Sequence, residues 1–123
     1  MSVQEGGNGV KINRDSALKL WSKYFGNKKY ATDFHGNYMC RDAYGKRNYF
    51  EYDSRGNKIY CGWNIHHILP VAVGGTDAKN NLIPVNIYTN DVAEDKTTFS
   101  IDGIRYQVKK LYGKHEYKIY KID

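Results

Sequence analysis

The sequence predicts an α+β protein with an N-terminal helix, a central strand–loop–strand–helix unit and a C-terminal β-hairpin. Three observations carry this expectation. Apolar residues return at helical spacing near the start of the chain, at Ala17, Leu20, Trp21 and Tyr24. From Tyr30 onwards the chain breaks into short aromatic and β-branched runs divided by Gly, Asn and Asp. Two apolar runs, at 63–70 and 82–85, enclose a polar loop and are followed by Asn86–Lys96, which can form a helix.

Taken in order, residues 1–12 read as a flexible tail. Gly6-Gly7-Asn8-Gly9 lacks the Lys-Ser/Thr continuation that a phosphate-cradling loop needs. A helix follows over 13–26, with Asn13 or Asp15 as its cap and Gly26 as its stop. Its other face carries Arg14, Lys19 and Lys23, a solvated face or a ridge for phosphate. Tyr49–Tyr52 and Lys58–Tyr60 flank Asp53-Ser54-Arg55-Gly56-Asn57 and read as a hairpin. Thr98–Ile101 and Ile104–Val108 are joined by Asp102-Gly103, a dipeptide preferred in two-residue type I′ turns. Ile104, Tyr106 and Val108 then share a face, with Arg105 and Gln107 opposite. Glu116–Ile122 reads as a further strand. The chain length predicts one domain.

Composition narrows the function classes. With 41% hydrophobic and 15% aromatic residues the chain can build a core, which argues against disorder. No apolar run approaches the ~20 residues of a membrane span, and the N-terminal segment lacks the features of a secretory signal. Cys40 and Cys61, without a CxxC pattern, suit buried thiols better than a disulfide scaffold or a zinc site. These features predict a cytoplasmic protein that does not engage membranes. The net charge of +6 is uneven, with a mildly acidic centre over 61–100 between basic flanks. That pattern fits a metal-bearing site held against a polyanion, with ordinary solubilising charge as the competing reading. Twelve tyrosines supply either core and strand residues or flat amphipathic surface for a partner.

The chemistry concentrates in Gly62–Phe99. Adjacent strand residues point to opposite faces, so His66 and His67 take different jobs. One turns toward the following helix and a metal, the other toward a substrate. Asn90 lies one turn along that helix, where its carbonyl oxygen is a second candidate ligand. Two protein ligands leave coordination positions open, as a catalytic ion requires. Asn81, where the loop meets the second strand, is placed to brace the loop beside the histidines.

His66-His67-Ile68-Leu69-Pro70, then Gly74-Gly75, Asn81-Leu82 and Asn90 follow one another in the order and spacing of a known pattern. In these residues the chain resembles the HNH (His-Me finger, ββα-metal) endonuclease family, closely over 60–99 and loosely from Tyr38 to Val108. The resemblance implies a ββα-metal core and metal-dependent hydrolysis of phosphodiesters. His67 would be the general base, His66 and Asn90 the metal ligands, and Asn81 the residue that positions loop and base. It also implies a DNA endonuclease or nickase of bacterial or phage type that binds duplex mostly through phosphates, with Lys79 and Lys96 as candidate contacts. An ordinary imidazole titrates at about pH 6.5, so a histidine base is neutral and competent around neutral pH.

Two departures qualify this resemblance. Many members carry Asp where this chain has His66, and neutral imidazole with an amide supplies no charge for Mg²⁺. Mn²⁺, Co²⁺ or Ni²⁺ is therefore expected to serve better, with Zn²⁺ a further candidate. The cysteine pairs that bind structural zinc in many members are also missing, with Asn86 and Thr89 at the downstream positions. Asn86 is the competing candidate ligand. The alternative expectation is a catalytically silent HNH fold that binds nucleic acid or a protein partner. His35 and His115 fall outside the pattern and are expected to be ordinary.

Overall fold

The computed structural model describes residues 11–122, so most of the expected 1–12 tail lies outside the described residues. Helix α1 (Arg14–Phe25) begins where the sequence indicates, because Asn13 Oδ1 accepts the Ser16 backbone N–H and the Ser16 hydroxyl accepts that of Asn13. Gly26 ends it at φ 66°, a backbone region that favours glycine. Two hairpins follow, β1 (Tyr30–Thr32) with β2 (Tyr38–Cys40) and β3 (Phe50–Tyr52) with β4 (Lys58–Tyr60). The second is the hairpin the sequence predicts; the first adds to it. Its turn is organised by Asp33, a buried carboxylate that accepts backbone N–H groups from His35, Gly36, Asn37 and Asn86.

The centre is an antiparallel hairpin of β5 (Trp63–His67) and β6 (Leu82–Asn86), followed directly by helix α2 (Ile87–Ala93). Pro84 sits within β6 and is tolerated because, among the described residues, β6 pairs only with β5 and its other edge has no ladder bonds. Asn86 caps α2 by accepting the Tyr88 N–H. The helix stops at Ala93, short of the 86–96 span available to it, so Asp95 and Lys96 lie beyond its end. The C-terminal part is a three-stranded sheet, the expected hairpin joined by the further strand expected over Glu116–Ile122: β7 (Thr98–Ile101), β8 (Ile104–Lys110) and β9 (Tyr117–Ile122), with β8 central. Asp102 and Gly103, at φ 51° and 82°, form the predicted turn.

These elements stack in layers. One face of β5 buries Trp63 and Ile65 against Ala17, Leu20 and Trp21 of α1, with the two tryptophan rings 5.0 Å apart. The other face of the β5–β6 hairpin meets α2, whose far side packs Val92 and Ala93 on Phe99, Ile101 and Tyr106. Burying an apolar side chain of this size contributes roughly 1.5–3 kcal/mol, so the α1 and α2 layers hold the central hairpin rigid from both sides. Cys40 and Cys61 are buried free thiols, as expected. No helix among the described residues is long and apolar enough to cross a membrane.

Candidate active site

His66 and His67 end strand β5 and do turn to different partners. His66 points toward α2 and is buried, and its Nδ1 lies 2.8 Å from Asn90 Oδ1. An amide oxygen can only accept, so Nδ1 carries the proton and donates, leaving Nε2 as the lone-pair nitrogen. That Nε2 is buried and has no hydrogen-bond partner among the described residues. Burial holds the His66 pKa below its usual value, and the neighbouring His67 adds to this, against the opposing pull of the Asn90 contact. His66 is therefore neutral at neutral pH, the form that binds metals.

His67 turns to the loop between the strands. Its Nε2 lies 2.7 Å from Asp77 Oδ1, and a carboxylate there accepts, so Nε2 holds the proton and Nδ1 keeps a lone pair. Asp77 is the residue that reading the sequence missed. It lies in the loop ten positions from His67, and loop distances are set by tertiary structure, so only its place after Gly74-Gly75-Thr76 hinted at it.

Asn81 accounts for how Asp77 is held. Its side chain is buried; Oδ1 accepts the Leu69 N–H at 2.8 Å, and Nδ2 donates to Leu69 O at 3.0 Å and Thr76 O at 2.9 Å. Among the described residues it makes no side-chain hydrogen bond to either histidine. It ties the two arms of the loop together and fixes Thr76, next to Asp77. The paired glycines serve the same loop for different reasons. Gly74 takes φ 103°, whereas a Cβ on Gly75 would lie 1.7 Å from Leu69 O.

The two histidines, Pro70, Asn90, Glu94 and Asp95 line one cleft of about 280 Å³. Glu94 is a second residue missed in the sequence. It follows Asn90 by one helical turn, and its φ of 50° with ψ of −135° is a strained combination for a residue with a side chain. Asn86, the competing ligand, is excluded by its own bonds: Oδ1 caps α2, and Nδ2 donates to Tyr38 O and Tyr60 O. Lys96 lies 3.2 Å from Glu94, and the exposed Lys79 offers its backbone oxygen to Lys23. Among the described residues neither lysine is hydrogen-bonded or ion-paired to a histidine. His35 is not ordinary but structural, bridging Tyr106 and Asp102 at 2.7 Å and 2.9 Å.

The donors fit a divalent ion in one respect and fall short in another. A buried imidazole with one orphaned nitrogen beside an amide oxygen is a partial ligand set, and the orphan is the cost a bound ion relieves. Among the described residues, however, no three His, Cys, Asp or Glu side chains converge as a metal-binding group. Asn90 and solvent would have to complete the sphere, with Glu94 and Asp95 of the cleft lining as sources of charge. Set against protein-family models, curated proteins and solved structures, the chain matches none.

Proposed function

We propose that the chain is a metal-dependent endonuclease or nickase of HNH type, built on a ββα-metal unit formed by β5, β6 and α2. The observation that supports it most is the division of labour between neighbouring histidines over one cleft. His66 is neutral, buried and short of a partner, while His67 is anchored through Nε2 with Nδ1 left to accept a proton. In this reading His67 Nδ1 takes the proton of the attacking water as the water oxygen bonds to phosphorus. Asp77 holds the imidazole in the tautomer that can do so and stabilises the imidazolium that results. A positioned base of this kind contributes about 10²–10⁴ in rate. His66 and Asn90, with Glu94 at the cleft edge, would hold the divalent ion. Such an ion, when bound, stabilises the charge that builds on the phosphate and on the departing 3′ oxygen.

The test is conversion of supercoiled plasmid to nicked or linear forms in Mg²⁺, Mn²⁺, Co²⁺, Ni²⁺ or Zn²⁺. Metal-dependent cleavage that drops by at least about 10²-fold in His67→Ala and stops in EDTA is the expected result. Mn²⁺, Co²⁺ or Ni²⁺ should outperform Mg²⁺ at equal concentration, because an imidazole and an amide suit those ions better. Mg²⁺ giving the best rate would overturn the metal assignment. No cleavage with any ion, by a folded protein that still binds DNA, would favour a silent binding module.

A further inference from the structure

Hairpin β3–β4 leaves one face open. Its register sets Phe50 opposite Tyr60 and Tyr52 opposite Lys58, and residues opposite one another share a face. All four are exposed, Tyr52 at 65%. Phe50 lies 5.5 Å from Tyr52 and 5.8 Å from Tyr60, and Lys58 Nζ sits 4.3 Å from the Phe50 ring centre. Among the described residues no third strand pairs with this hairpin. Three rings held in water on a two-stranded ribbon add little to a core, and such patches mark contact surfaces.

The face continues into a cleft of about 440 Å³ that Tyr38, Tyr60 and Tyr88 line together with Arg47 and Lys58. Each of these three tyrosines is about half exposed. Within the cleft Asp91 pairs with Arg47 at 2.6 Å, which leaves Lys58 as the cation facing the rings, and the surrounding segment is cationic. Residues 27–62 hold seven Lys and Arg against four Asp and Glu. Three of those four carboxylates are engaged locally: Asp33 by backbone N–H groups, Glu51 by the Tyr30 and Tyr49 hydroxyls, and Asp53 by its own turn. A polyanion complements such a surface. In a duplex the base faces are stacked on one another, so exposed tyrosine faces can receive only unpaired bases.

We propose that β3–β4 and the adjoining Tyr38–Tyr60–Tyr88 cleft bind unpaired nucleotides, bases against the rings and phosphates against Lys58. As a statement about substrate this rests on the nuclease reading of the histidine cleft; as a statement about binding it does not. Helix α2 borders both clefts, with Tyr88 and Asp91 lining one and Asn90 and Glu94 the other. Gly62 lines one cleft and Ile65 the other, three strand residues or about 10 Å apart, on the order of three nucleotides at base-stacking spacing. The surface thus selects nucleic acid with a single-stranded or frayed segment beside the scissile phosphate.

The experiment is fluorescence anisotropy of a labelled oligothymidylate, and of a duplex of the same length, at one salt concentration in EDTA. The single strand should bind at least about tenfold more tightly. Tyr60→Ala and Tyr38→Ala, which alter different hairpins, should each weaken it by about tenfold and leave duplex binding unchanged. Tyr60→Trp should restore it, and thermal melting followed by circular dichroism checks that each variant folds. Equal affinity for both forms, or folded variants that bind like the wild type, would overturn the proposal. So would sedimentation showing the face buried in a dimer that Tyr60→Ala dissolves. Single-strand preference without cleavage supports this proposal and counts against the nuclease alone; cleavage with binding insensitive to Tyr60 and Tyr38 does the reverse.

Discussion

At the scale of single residues, the site depends on which nitrogen of each histidine is held. His67 is held at Nε2 by Asp77, so the proposed base is Nδ1. Asp77→Asn keeps the shape but lets the amide present either an oxygen or an N–H, and the imidazole loses its fixed tautomer. We expect kcat to fall by at least about tenfold with KM unchanged, and Asp77→Glu to recover part of it, in steady-state plasmid nicking. A role in folding alone would lower the melting temperature and leave kcat of the folded fraction intact. Glu94 offers a contrast. Its backbone occupies a region that costs a side-chain-bearing residue about 1–3 kcal/mol. Glu94→Gly should therefore raise the melting temperature by a few degrees while weakening metal-dependent activity. Thermal melts and metal titrations of the same preparation check both halves.

At the scale of elements, the loop at residues 68–81 and the β7–β8 turn are the parts whose geometry matters most. The loop is organised by Asn81 and Gly75, and it delivers Asp77 to His67. The turn delivers Asp102 to His35 and to the Tyr88 hydroxyl, tying the C-terminal sheet to the β1–β2 turn and to α2. The bond from His35, and next that from Tyr88, hold the Asp102 carboxyl below the usual carboxylate range. A carboxyl whose pKa is lower folded than unfolded stabilises the fold above its unfolded value of about 3.9. That contribution is lost as pH falls through the lower, folded value. Asp102→Asn suits the left-handed backbone equally well and removes only the charge. Melting temperatures measured from about pH 5 to about pH 2 should decline less steeply in Asp102→Asn than in the wild type.

At the scale of the whole molecule, the layers α1, β5–β6, α2 and β7–β9 grip the central hairpin from both faces, and Cys40 and Cys61 lie inside the α1 layer. Burial, with the nearby Cys40, pushes the Cys61 thiol up to about 11. Both thiols should be inert to Ellman's reagent at about pH 8 in the native protein and react together in denaturant, the native rate reporting global opening. Labelling of either cysteine without unfolding would show that this layer is looser than its packing implies. By itself the sequence determined the α+β class, helix α1 with a cap at Asn13 or Asp15, the β3–β4 and β7–β8 hairpins, and the nearness of His66 to Asn90. All of these rest on local rules: helical and strand periodicity, capping chemistry, turn dipeptides and fixed spacing along one unit. The tertiary structure decided that Asp77 anchors His67, that Asn81 makes no side-chain hydrogen bond to either histidine, and that Asn86 is occupied by backbone. It also decided that His35 joins the C-terminal sheet to the β1–β2 turn and that α2 ends early at a strained Glu94. Those outcomes depend on which distant groups fold into hydrogen-bond reach, and residues apart in sequence carry no local signal of that distance.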